Sequence, residues 1–199
     1  MKRICVYCGS SPGKSEAYRT AAHQLGQELV QAGIGLVYGG GSVGLMGVIA
    51  NEVMDHGGEV IGVIPKDLDF REVSNRALTD LRLVANMHER KALMAELSDG
   101  FIAMPGGYGT LDEMFEILTW SQLGLHEKPF GLFNVNNFYQ PLLTFLDHVV
   151  EEQFIEPAFR GLILSSDDPK LLLEQMHQFV HPKIDKAKLA LAKNNKQTN

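Results

Sequence analysis

The chain has 199 residues, 45% of them hydrophobic, which is enough to bury one substantial core and makes one domain the default. Its formal net charge is −6; the segment from Lys183 to Asn199 carries five lysines and one aspartate, a net +4, which leaves −10 on the rest. So acidic a body excludes a duplex nucleic-acid groove, which needs a basic face. No apolar run is long enough to span a bilayer, and Ile4-Cys5-Val6-Tyr7 is far too short for a signal core, so a soluble, cytoplasmic protein is expected.

Strand, glycine-rich turn and helix recur along the chain. Arg3 to Tyr7 reads as a first strand, Ser10-Ser11-Pro12-Gly13 as its turn, and Glu16 to Gln31 as a helix stopped by Gly33. Ile34 to Tyr38 is a second strand, followed by the turn Gly39-Gly40-Gly41-Ser42-Val43-Gly44 and a helix from about Leu45 to Asp55. Glu59 to Ile64 is a third strand closed by Pro65, and Leu81 to Val84 a short fourth before a helix from about Met87 to Leu97. The strand Gly100 to Met104 leads into a helix that runs to about Leu123; a strand Phe130 to Phe133 and a helix Phe138 to Glu151 follow. A short strand Gly161 to Leu164 and a helix Pro169 to Phe179 complete a domain over residues 1–180, with a basic, flexible tail over 181–199. Strands that alternate with helices and read as continuous apolar runs imply a parallel sheet covered on both faces. The expected fold is therefore a doubly wound, Rossmann-like α/β domain, with its ligand off the carboxyl ends of the strands, where all the glycine-rich turns fall. The polar stretch from Lys66 to Thr79, with Asp67, Asp69, Arg71, Glu72 and Arg76, is long for a compact domain and reads either as a functional loop or as a solvated one.

The most informative segment is Met104-Pro105-Gly106-Gly107-Tyr108-Gly109-Thr110-Leu111-Asp112-Glu113. Three glycines in four positions let backbone N–H groups converge without interference from Cβ atoms. Thr110 adds a hydroxyl in the first helical turn, where the N–H groups are unpaired and the dipole favours an anion. That is the chemistry of a phosphate cradle. Glu113 does not belong to it, because a carboxylate repels a phosphate; activating water or stabilising a developing cation would explain its presence. Asn86-Met87-His88-Glu89-Arg90-Lys91 opens the preceding helix with two adjacent cations, either a solvated pair or a forked and a point charge for phosphate or ribose.

Other chemistries are poorly served. The Gly39 to Gly44 turn lacks the Lys-Ser/Thr ending of a nucleoside-triphosphate loop, and the next strand ends Val63-Ile64-Pro65, without the acid a dinucleotide site places on ribose. Cys5 and Cys8 form a C-x-x-C inside or at the end of a strand, where positions three apart point to opposite faces, so a structural role is expected rather than a redox one. The histidines have no metal-ligand spacing, and neither a metal nor a cofactor is expected. No G-x-S-x-G elbow is present.

Met87-His88-x-Arg90-Lys91 followed by Pro105-Gly106-Gly107-Tyr108-Gly109-Thr110-x-x-Glu113 resembles the paired signature of the Lonely Guy (LOG) family, cytokinin riboside 5′-monophosphate phosphoribohydrolases of which many were once labelled possible lysine decarboxylases. The similarity runs from Cys8-Gly9-Ser10-Ser11 through Gly39-Gly40-Gly41 and Gly44-Leu45-Met46-Gly47 to Thr119-Trp120-Ser121-Gln122-Leu123-Gly124; Asp112 stands where plant members often have glutamate. The resemblance implies a homodimer that cleaves the N-glycosidic bond of a nucleoside 5′-monophosphate to free base and ribose 5-phosphate. It also implies that Arg90 and Glu113 are the catalytic pair, with Glu72, Lys91, Gly106, Gly107, Tyr108, Gly109, Thr110, Leu111, Asp112 and Thr119 as substrate contacts. Ser10, Gly40 and Gly41 are further candidates for phosphate or ribose contact. The rival expectation is a non-catalytic nucleotide or molybdenum-cofactor carrier of the same fold, which would need the cradle but has no evident use for the acid.

Overall fold

A computed structural model describes residues 1–69, 74, 75, 77, 78 and 80–183. Its centre is a seven-stranded, all-parallel sheet formed by β1 (Arg3–Tyr7), β2 (Gly35–Tyr38), β3 (Val60–Pro65), β4 (Asp80–Val84), β5 (Gly100–Ala103), β6 (Phe130–Phe133) and β7 (Ile163–Ser166), in the order β4-β3-β2-β1-β5-β6-β7. The inner strands are buried almost throughout, as expected of strands covered on both faces, while the edge strands β4 and β7 are only partly buried.

Helices α1 (Glu16–Gln31), α2 (Gly44–Asp55), α3 (Met87–Glu96), α4 (Tyr108–Leu123), α5 (Gln140–Glu151), α6 (Pro157–Arg160) and α7 (Pro169–Gln178) connect and cover the strands. In α1 the buried residues Ala21, Ala22, Leu25, Gly26 and Leu29 recur at helical spacing and form one face, and Ser15 caps the start by accepting from the Ala17 N–H. The core on one side of the sheet is built with α1, α2 and α7, and that on the other with α3, α4 and α5. Cys5 and Cys8 fall in different cores, both as free thiols, in keeping with their opposite directions along β1.

Two elements differ from expectation. Pro157–Arg160 forms a short helix with Gly161 at its carboxyl end, so the last strand starts at Ile163 instead of Gly161. The helix expected from Phe138 begins at Gln140, after a 3₁₀ turn over Val135–Asn137. That turn matters for the site. Asn134 Oδ1 accepts from the Tyr139 N–H at 2.7 Å, and the buried Tyr139 hydroxyl donates to the Met104 carbonyl at 2.6 Å, bracing the end of β5 from the β6 side.

Tyr139→Phe removes that donor and leaves a buried carbonyl short of a partner, so stability should fall by about 1–3 kcal/mol. Urea denaturation checks this as a lower midpoint at an unchanged slope.

Candidate active site

The sheet order reverses between β1 and β5: β1 passes to β2 on one side and β5 to β6 on the other. Open parallel sheets hold their ligands in the crevice off the carboxyl ends at such a switch point. Here the two chain segments touch directly, the Gly9 N–H donating to the Pro105 carbonyl at 3.1 Å. The Leu45 N–H in turn donates to the Gly9 carbonyl at 3.0 Å, so the start of α2 is closed off by the loop after β1.

Side chains cap α1, α3 and α7 through Ser15, Asn86 and Asp168, whereas α2, α5, α6 and α4, which begins after Gly107, have no side-chain cap; of these, α4 starts directly after β5 at the switch point. Among the described residues no side chain caps its first N–H groups, so they and the helix dipole are available to an anion in the crevice. A Cβ on Gly106 would run into the Thr110 side chain, so glycine is required there for the turn to close onto the buried threonine. Gly107 and Gly109 border open space, and the Tyr108 ring stands almost fully in solvent.

Beneath this turn lies a buried ion pair. Arg90 is 6% exposed and Glu113 8%, with Arg90 Nη1 3.6 Å from Glu113 Oε1. The guanidinium is seated by two backbone carbonyls: Nε donates to Val63 at 3.0 Å and Nη2 to Gly39 at 3.1 Å. Met87 Sδ lies 3.7 Å from Nη1 on the more open side. A buried cation is tolerated only when paired and hydrogen-bonded, and α3 delivers Arg90 to the ends of β2 and β3, where such acceptors exist.

The surroundings stay uncharged. Burial first, and then the field of Glu113, pushes the Cys8 thiol far above its ordinary range. Cys5 is raised by burial and Glu113, and Tyr7 by burial, Cys5 and Glu113. These groups remain protonated near neutrality, which removes the thiolate that a redox pair or cysteine nucleophile would need. Among the described residues no group of three or more His, Cys, Asp or Glu is arranged to hold a metal ion.

A family model described as possible lysine decarboxylase matches residues 46–176. A cytokinin riboside 5′-monophosphate phosphoribohydrolase of Arabidopsis thaliana is 53% identical over 184 residues, 92% of this chain and 84% of the relative. Its counterpart in Oryza sativa subsp. japonica is 52% identical over 179 residues, 90% of this chain and 74% of the relative. The chain belongs to the Lonely Guy family. Its fold is also that of the molybdenum cofactor carrier protein from Chlamydomonas reinhardtii, with a TM-score of 0.67 at 22% identity over 89% of this chain and 99% of the other.

The structure brings together Arg90, Glu113 and the Gly106–Thr110 turn, and sets the other expected residues around them in distinct ways. Lys91 Nζ lies 3.2 Å from Asp112 Oδ2 and 2.9 Å from Glu116 Oε2. Gly40 and Gly41 are buried under the loop before β4: the Gly40 carbonyl accepts from the Asn75 N–H at 3.0 Å, and Gly41 bridges to Ser74. Ser10 is exposed beside the crevice. Thr119 sits farther along α4, with its hydroxyl donating to the Phe115 carbonyl at 2.7 Å, and lines a separate cavity of about 130 Å³ with Phe115, Leu118, Gln122 and Leu146. Glu72, like Arg71 and Arg76, lies outside the described residues. Sequence reasoning missed the two carbonyls that seat Arg90, since backbone acceptors leave no mark on side-chain motifs. It also missed Glu116, which looks in sequence like any solvated helix glutamate.

The pair can be dissected energetically. Arg90→Met removes the cation beside the buried Glu113 and should cost about 3–5 kcal/mol, while the Arg90→Met/Glu113→Met double variant recovers most of that loss. Chemical denaturation of the single and double variants reads the coupling; additive losses would show that the two groups do not interact.

Proposed function

We propose that this protein hydrolyses the N-glycosidic bond of nucleoside 5′-monophosphates, with N6-modified adenosine 5′-monophosphates as the substrate class, to free base and ribose 5-phosphate. The observation that carries the reading is a buried, paired carboxylate, Glu113, within two turns of an uncapped helix N-terminus at the switch point of the sheet. The relatives named above as phosphoribohydrolases support the same reaction.

On this reading the 5′-phosphate sits against the N–H groups and hydroxyl of Gly107–Thr110, and the binding energy of that remote group holds the ribose C1′ near Glu113. As the bond from C1′ to the base nitrogen breaks, its electron pair leaves with the base and positive charge develops on the sugar, which the carboxylate stabilises. Glu113 takes a proton from the water that attacks C1′, and that proton passes on to the nitrogen through which the base was bonded, so the base leaves neutral and the carboxylate is restored. Arg90, whose Nε and Nη2 already serve two carbonyls, lies against Glu113 and orients it. Decarboxylation through a lysine Schiff base has little support, because it needs a neutral amine. Burial pulls the Lys91 pKa down, but the hydrogen bonds it donates to Glu116 and Asp112 outweigh this and hold it above its ordinary value.

We further infer a homodimer working in the cytoplasm. The exposed apolar side chains Phe115, Phe145 and Phe154 on and beside α4 and α5 support a second copy on that face, and no described helix is long and apolar enough to cross a membrane. Thr119 and its cavity would lie at that contact and could border the base of a substrate held by the partner.

Incubation with AMP and with N6-isopentenyladenosine 5′-monophosphate, followed by chromatography of the released base, tests the reading. Release that requires the 5′-phosphate is expected, faster from the prenylated nucleotide, with the phosphate-free nucleosides inert. Glu113→Gln should lower turnover by about 10²- to 10⁴-fold while nucleotide binding survives. Bound nucleotide with no base released by the wild type would instead favour a carrier.

A further inference from the structure

Asp112, Glu113 and Glu116 place three carboxylates on five consecutive residues of α4, and like charges one turn apart destabilise a helix. Two consecutive residues of α3 answer them. Arg90 lies against Glu113 from the buried side, and Lys91 bridges Asp112 and Glu116, which are four apart and share a helix face. The Lys91 side chain is only 13% exposed, a depth at which an unpaired ammonium would be costly. Of its two partners Glu116 is both the closer and the better shielded, 26% exposed against 61% for Asp112, so solvent screens that contact less.

This second contact supplies what the first lacks. The buried Met114 and Ile117 decide which face of α4 meets the sheet, but apolar packing is not directional, and at 3.6 Å the Arg90–Glu113 pair is too long to be a directional hydrogen bond. Successive helix residues are about 100° apart, so a modest rotation would swing Glu113 away from Arg90 and move the first turn of α4 at the crevice. A second ion pair, from the next residue of α3 to Asp112 and Glu116 of α4, adds a polar contact that refines the rotation the core packing leaves.

We propose that Glu116 is a positioning residue: acting through Lys91, it locks α4 against α3 and so holds Glu113 and the Gly107–Thr110 turn in register. The catalytic consequence rests on the function proposed above; the geometric consequence does not. The test compares wild type, Glu116→Gln, Lys91→Met and the double variant as full chains, by steady-state base release from N6-isopentenyladenosine 5′-monophosphate and by amide exchange of a peptide spanning residues 104–116. Glu116→Gln should lower kcat about tenfold with KM changed less than about threefold, since misplacement near a reacting group acts on the chemical step. The double variant should be no slower than Lys91→Met, and Glu116→Asp should recover part of the loss. Exchange should be about fivefold faster in Glu116→Gln, a readout of α4 that needs no catalysis, so a silent wild type would count against the function alone. Exchange at the wild-type rate overturns the proposal. So does a rise in KM confined to Lys91→Met with Glu116→Gln at wild-type kcat, which would put Lys91 on the phosphate.

Discussion

Burying a guanidinium is the most demanding requirement this chain meets, and much of the local architecture follows from it. Arg90 needs acceptors and a counter-charge where it leaves water, and it finds them in the Val63 and Gly39 carbonyls, which accept from it, and in the Glu113 carboxylate 3.6 Å away. Those partners come from β3, the turn after β2, and α4, so elements distant in sequence have to converge on one side chain. The requirement reaches back into the sequence at Gly39, where a Cβ would collide with the guanidinium itself. Glycine there serves the ion pair more directly than it serves any phosphate.

The same burial explains why opposite electrostatic demands coexist. A carboxylate close to an anion site is unfavourable unless its charge is compensated locally. Arg90 supplies that compensation from below, while the N-terminus of α4 faces outward with no acidic residue in its first turn. Cys5, Tyr7 and Cys8 take the other route and remain neutral, being buried beside a carboxylate that makes ionisation still harder.

Much of the fold is legible in the sequence because the inner strands are short, fully apolar and bounded by glycine or proline: Val60–Pro65, Gly100–Ala103 and Phe130–Phe133 need no tertiary information to be found. The last strand is harder, because Pro157–Arg160 uses up the residues that seemed to lead into it. Within the site, Arg90 and Glu113 are readable from motif and from electrostatic awkwardness, whereas their contact is not, since it depends on α3 and α4 packing on the same face of the sheet. Gly40 and Gly41 show the limit of composition, which does not reveal that the Gly40 carbonyl accepts from Asn75 and that Gly41 pairs with Ser74.

What unites the two halves of the site is that one helix carries both. Gly107 immediately precedes α4 and Glu113 follows six residues later, about 9 Å along the axis at 1.5 Å per residue. Side chains on a helix lean towards its N-terminus, so the carboxylate reaches back over part of that distance. The remaining separation is of the order of a ribose unit between its phosphate and its anomeric carbon. On the proposed function, a single rigid element would therefore measure out the substrate, with the phosphate at one end and the reacting carbon at the other. The contacts from α3 then matter because any tilt or rotation of α4 changes both distances at once.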